Sequence, residues 1–162
     1  LTVNVANPTI TLGSNATFPV GHIIQTVSSS SSAYGSTNST TYQLGHRETI
    51  TPLKTNSKIL ITITSNILLG ITGNSVQPRG FMAIFMTDNS NNLTYAQLRL
   101  SKNSVSYWRY TTETLSVLHT PTIPATPVAI VYGIMLKAHG SDHHIYFDDG
   151  GPCTVTLQEI AQ

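Results

Sequence analysis

Almost nowhere along this chain do apolar residues recur at helical spacing; they alternate with polar ones at every second position, and β-branched residues are over-used. A period of two sends successive side chains to opposite faces of an extended strand, so a chain written this way is confined to sheets. Gly, Asn and Pro punctuate the joints, and no segment reads as a helix. Strands are expected over residues 22–28, 41–50, 58–69, 80–87, 93–100, 104–110, 114–119, 128–139, 144–147 and 153–160. The turn at Asp88–Asn92 should pair residues 80–87 with 93–100. Between the last two strands, Asp148-Asp149-Gly150-Gly151-Pro152 reads as a tight hairpin, because Asp-Gly supplies positive φ. The Ser- and Thr-rich stretch over 28–41 reads as a long flexible loop or a weak sheet edge. Many short strands with regular turns point to an all-β fold, a β-sandwich of jelly-roll type.

Length and charge bound the rest. At 162 residues one domain is expected, with residues 1–17 as a polar extended arm and 18–162 as a single β-sandwich. The lone cysteine, Cys153, excludes an internal disulfide and a Cys-based zinc site. Charged residues make up 9 % of the chain, far below the ~25 % of an ordinary soluble domain, so Ser, Thr and Asn supply the polar surface. With a net charge of +1 and scattered Lys and Arg, the chain has no electrostatic footprint for nucleic acid. The longest apolar run, Val128–Leu136, is about half of a membrane-spanning helix, so no membrane insertion is expected. The chain begins at Leu1 rather than Met, which reads as a processed protein or part of a longer one.

Two segments break the one-dry-face pattern. In Phe81-Met82-Ala83-Ile84-Phe85-Met86 and in Val128–Leu136 both faces are apolar, so the second face needs a cover. Either a loop of the same chain or a second subunit would supply it; the second, the favoured reading, makes Phe81, Ile84, Phe85, Met86, Val131 and Met135 the expected interface of an obligate oligomer.

Three short motifs carry a resemblance. Phe18-Pro19-Val20-Gly21-His22-Ile23-Ile24-Gln25, then Ile50-Thr51-Pro52 running on to Ser57-Lys58-Ile59-Leu60-Ile61, then Val155–Ala161 with Thr156-Leu157-Gln158-Glu159-Ile160-Ala161, occur in that order. Together they resemble a C-terminal domain of tail-fibre and other virion structural proteins of bacteriophages, especially those of cyanobacteria and marine bacteria. The resemblance spans Phe18 to the end, although residues 70–127 match none of its motifs. It implies a non-enzymatic, β-rich virion protein, assembled as a homotrimer with other virion proteins as neighbours. If the chain is part of a longer one, the missing portion would be the fibre shaft or virion anchor.

Catalytic signatures are missing from the chain: it has no nucleophile elbow, no H-E-x-x-H, no phosphate-cradling loop and no C-x-x-C. Glu48, Glu113 and Glu159 are far apart in sequence and read as strand-face residues, so no enzyme and no cofactor are expected. His139, His143 and His144, beside Asp142, form the one metal-like cluster. Neighbouring His143 and His144 point to opposite faces of a strand, which favours a solvated hairpin over a metal site. Tyr107-Trp108-Arg109-Tyr110 holds the only tryptophan and suits sugar stacking, a subunit contact or core packing. Alternation sets Tyr107 and Arg109 on one face and Trp108 with Tyr110 on the other, so only one pair can face outward. Two roles follow: the tip of a trimeric tail fibre that attaches to host surface glycans, or a capsid cement protein with a purely structural task. Either places the protein on the virion.

Overall fold

A computed structural model describes residues 17–32, 35–71, 78–88, 91–101, 108–126, 128–147 and 151–162. The extended arm expected over 1–17 therefore lies, apart from Thr17, outside the described residues. The described chain is all-β and consists of two antiparallel sheets. No helix among the described residues is long and apolar enough to cross a membrane.

The first sheet is organised around β4 (Lys58–Ile71), the longest strand. On one edge β4 pairs with β7 (Trp108–His119) from Ile59 to Gly70. On the other edge β10 (Cys153–Ile160) covers Lys58 to Thr64 and β9 (His143–Phe147) covers Ile67 to Ile71. Both run antiparallel to β4, so β9 and β10 lie end to end as one interrupted strand. The hairpin expected at Asp148–Pro152 is thus not formed. Between Phe147 and Thr154 the register on β4 changes by four residues, an excursion in a continuing strand, because β4 offers both pieces a longer partner than either offers the other. Outside them β1 (Ile23–Ser31) pairs with β10, and the short β2 (Gly35–Thr37) pairs with β9. Of the two readings of the Ser-rich stretch, loop or weak edge, the edge is the one seen: β1 continues up to Ser31 and β2 begins at Gly35. Likewise, the two strands expected at 104–110 and 114–119 are a single strand from Trp108 onward.

The second sheet has the order β3-β8-β5-β6, with β3 (Gln43–Ile50), β8 (Ile130–Ala138), β5 (Arg79–Asp88) and β6 (Asn91–Ser101). β5 and β6 pair as the turn signal predicts. Between the sheets lies the core. Ile59, Ile61 and Ile63 of β4 and Val155 and Leu157 of β10 meet Met82, Ile84 and Met86 of β5 and Tyr132, Ile134 and Leu136 of β8. Each such side chain contributes about 1.5–3 kcal/mol by leaving water. Tyr132 keeps its hydroxyl satisfied in this apolar layer, 2.7 Å from Nδ1 of buried His119.

The doubly apolar strands receive their cover from the chain itself. Ile84 and Met86, expected at a subunit interface, belong to the intersheet core. On the opposite face Phe85 is only 1 % exposed. It stands opposite Gly133 of β8, and a Cβ at Gly133 would come within 2.6 Å of its ring and of the His46 carbonyl. The missing side chain at Gly133 lets the Phe85 ring lie over the neighbouring strand. Ala83 and Met135 are buried beside it, with Tyr42 and Val131 packed against them. Phe81 is half-buried at the end of the same face, where the Lys137 ammonium sits over its ring and that of Tyr42. The apolar pattern that suggested an interface is thus satisfied within one chain.

Phe85→Ala should accordingly lower stability by about 3–5 kcal/mol, the cost of truncating a buried aromatic. Urea unfolding would read the loss, and light scattering should find the particle mass unchanged.

Candidate functional site

The three sequence motifs meet at one place, the buried carboxylate of Glu159. Pro19-Val20-Gly21-His22 forms a turn closed by the His22 N–H to the Pro19 carbonyl at 3.1 Å, with Gly21 at φ 86°. A positive φ at the third turn position is the geometry that glycine adopts without cost. The turn is docked on the chain end by Gly21 N–H to the Ala161 carbonyl and Ala161 N–H to the His22 carbonyl, each at 2.9 Å. The strand that follows carries Gln25, whose amide donates at 2.7 Å to both Glu159 and the Thr51 carbonyl. Leu53 and Lys54, just after the Ile50-Thr51-Pro52 motif, donate backbone N–H groups to the same carboxylate at 2.9–3.0 Å. A charge taken fully out of water is stable only with such a shell of donors. This constellation ties the segment leading into β1, the end of β10 and the loop before β4 into one joint, and its role is structural.

The outward face of the first sheet is of another kind. Inward positions on β4, β7 and β10 are odd-numbered, so the even ones face solvent. Register aligns them in rows: Thr26, Gln158, Leu60 and Leu118; Ser28, Thr156, Thr62 and Ser116; Ser30, Thr154, Thr64 and Thr114. Hydroxyls pair across strands at 2.9–3.1 Å in Ser28–Thr156, Ser30–Thr154, Thr62–Ser116 and Thr64–Thr114. Asn66 continues the pattern by accepting from the Thr112 hydroxyl at 2.6 Å. The next row is Ser36, Tyr146, Leu68 and Tyr110. Leu68 faces outward yet is only 7 % exposed between its two tyrosine neighbours, while Tyr110 is 63 % exposed. His144 stacks on Tyr146, ring centroids 6.2 Å apart. Beyond it, Gly70 leaves the register position between His144 and Trp108 without a side chain.

Of the aromatic quartet expected to bind sugar, Tyr110 is therefore an exposed side chain on this face. Trp108 and Arg109 are placed as backbone positions of β7, and Tyr107 lies outside the described residues. Sequence reasoning did not bring Tyr146 and His144 to the same patch. The signal was parity on β9 together with register, and register is not written in any one segment.

The three histidines of the metal-like cluster do not converge. His143 points inward, its Nδ1 accepting from the Arg79 N–H at 3.1 Å and its Nε2 3.6 Å from Asp142. His139 meets it edge-on at 5.6 Å and stacks on Phe81, while His144 sits on the opposite face. With Nδ1 engaged, His143 has a single ring nitrogen left for any ligand. Burial, only partly offset by Asp142 and reinforced by His139, Arg79 and His144, holds His143 below the ordinary histidine range.

A further polar cluster closes the gap between edge strands β1 and β3. The Ser29 hydroxyl lies 2.9 Å from His46 Nε2, and Glu48 accepts from Ser29 and, at 2.7 Å, from the Thr49 N–H. These two bonds lower the Glu48 pKa, the Ser29 bond first. In a nucleophilic triad the carboxylate orients the imidazole. Here the serine stands between them, and a carboxylate made more acidic is a weaker base.

No family model and no curated protein matches the chain.

Two outcomes test this geometry. Glu159→Leu leaves the Leu53 and Lys54 N–H groups buried without acceptors and should cost about 1–3 kcal/mol for each, read by denaturant unfolding. For His143, a folded-state pKa below the unfolded value means that the unfolded chain binds more protons as pH falls. Its stabilising effect is complete above about pH 6.5 and is lost on acidification through the depressed folded value. The melting temperature should fall as the pH drops below about 6.5, and fall less in His143→Gln. An identical decline in the variant would refute the assignment.

Proposed function

We propose that the protein is a bacteriophage virion component, the C-terminal tip of a trimeric tail fibre that attaches to host surface glycans without chemical turnover. One observation carries the reading: the exposed patch where Tyr110, Tyr146 and His144 border the hydroxyl rows of the first sheet. Aromatic faces stack on the C–H faces of sugar rings, and hydroxyls and amides beside them satisfy the sugar's own hydroxyls. The order of the three motifs supports the virion assignment, since the residues they share assemble the Glu159 joint.

A jelly-roll architecture fits the strand order. Counting β1 with β2 and β9 with β10 as interrupted strands, the first, eighth, third and sixth strands form one sheet. The second, seventh, fourth and fifth form the other, the arrangement expected of two interlocked Greek keys. Such folds serve in both viral capsids and lectins, and the fold alone does not choose between them. For the trimer, the support is the edge of β7. It spans 12 residues and pairs with β4 along one side. Among the described residues no strand pairs with its other side; a long edge strand with an open ladder is normally covered, and a neighbouring subunit would cover this one.

Light scattering coupled to gel filtration should give three chain masses, and a one-chain mass at micromolar concentration would refute the trimer. Tyr110→Ala should change stability by about 1 kcal/mol or less, because the ring is mostly in solvent. The same variant should weaken adsorption to host cells.

A further inference from the structure

We infer, on the strength of the trimer reading, that neighbouring copies meet on an aliphatic stripe at the Glu159 end of the first sheet. Ile23 of β1 stands opposite Ile160 of β10, and Leu60 of β4 stands opposite Leu118 of β7. Ile160 pairs with Lys58, two positions from Leu60, so the isoleucine pair and the leucine pair are diagonal neighbours. Register puts all four on the outward face, because the intervening Ile59, Leu157 and Glu159 are buried. Ile160 and Leu60 are half-buried in the middle of the stripe, while Ile23 and Leu118 at its ends are 53 % and 52 % exposed. Val20, in the turn that leads into Ile23, is 77 % exposed. The stripe crosses four strands, a width of about 14 Å at about 4.8 Å between strands.

A surface of this kind is stabilised by an occupant that takes it out of water, and contiguous apolar patches mark contacts between proteins. Its layout is that of a protein interface, an apolar centre with Thr26, Gln158 and Lys58 at the rim. Sugars match it poorly, since four aliphatic side chains offer neither a ring face for stacking nor a partner for a hydroxyl. A second copy fits through the position of Leu118. That residue is the last but one of β7, the strand whose other side pairs with no described strand. A neighbour seated along the end of that edge reaches the stripe without a gap. The stripe then forms the apolar centre of the contact, and the β7 edge widens it towards the about 800 Å² per partner of a stable interface. Tyr110 stays clear of this contact, because it lies eight residues from Leu118 along β7, roughly 27 Å at about 3.4 Å per residue. One face thus carries assembly at one end and recognition at the other.

Light scattering coupled to gel filtration, run on the full chain at micromolar concentration, tests this. The protein should give three chain masses, and Ile23→Lys and Leu118→Lys should each give one, with the sheet spectrum in circular dichroism retained. Ser30→Lys, on the same face nearer its middle, should leave three. Three chain masses in both stripe variants overturn the stripe and leave the trimer standing. A one-chain mass for the unsubstituted protein overturns both. Dissociation by Ser30→Lys places the contact on the hydroxyl rows and overturns the assignment. A lower melting temperature at unchanged mass in the stripe variants also overturns it, since the chain would then cover the stripe itself. Where a lysine abolishes folding, Leu118→Gln takes its place, and sedimentation equilibrium should show a dissociation constant at least about tenfold higher. An unchanged constant overturns the stripe.

Discussion

The strict alternation along β4 is the constraint on which everything else depends. From Lys58 to Ile67 every second side chain enters the core, and the strand is hydrogen-bonded on both edges. Every strand of the first sheet takes its register from β4, directly or through a neighbour. A slip by one residue would move Ile59, Ile61 and Ile63 into water and drive Thr62 and Thr64 into the intersheet layer. Each buried hydroxyl without a partner would then cost about 1–3 kcal/mol. The same register that fills the core therefore lays out the hydroxyl rows, and neither can change without the other.

The all-β class and most strand positions were legible because they depend on local alternation and turn residues. The pairing of β5 with β6 was legible for the same reason, as the Asp88–Asn92 turn is short and polar. The path of β9 and β10 was not. Asp148–Pro152 has the composition of a hairpin, yet long-range pairing of both pieces with β4 outweighs the local preference. The excursion inserts an even number of residues relative to β4, so Tyr146 and Thr154 stay on one face. The covered face of β5 was missed for a different reason. Its key is Gly133, 48 positions beyond Phe85 in the sequence and visible only once β8 lies beside β5.

At the candidate site, Tyr110 was identifiable from composition and alternation. His144 was noticed for its neighbours His139 and His143, and its place proved to be on the other face, beside Tyr146. Glu159 read as an ordinary strand-face residue because its donors, Gln25, Leu53 and Lys54, come from segments more than a hundred residues away. Motif order gave the only hint that these segments belong together. The physical reason for the motifs is one buried carboxylate whose donors come from the segments that carry them.

Among the described residues, several charged side chains lie away from the hydroxyl rows. Glu159 is enclosed at the end of the sandwich, Glu48 sits at the β1–β3 gap with His46, and Lys137 lies between aromatic rings on the opposite sheet. Hydroxyl rows have no long-range field to steer a ligand, so complementarity of shape and hydrogen bonding has to provide the selectivity. Individual contacts of that kind are weak. Under the trimeric fibre reading, three copies present the same face to one cell surface, and the second and third engagements become effectively intramolecular. Under that proposal, firm attachment would come from the number of faces engaged rather than from the strength of any one contact.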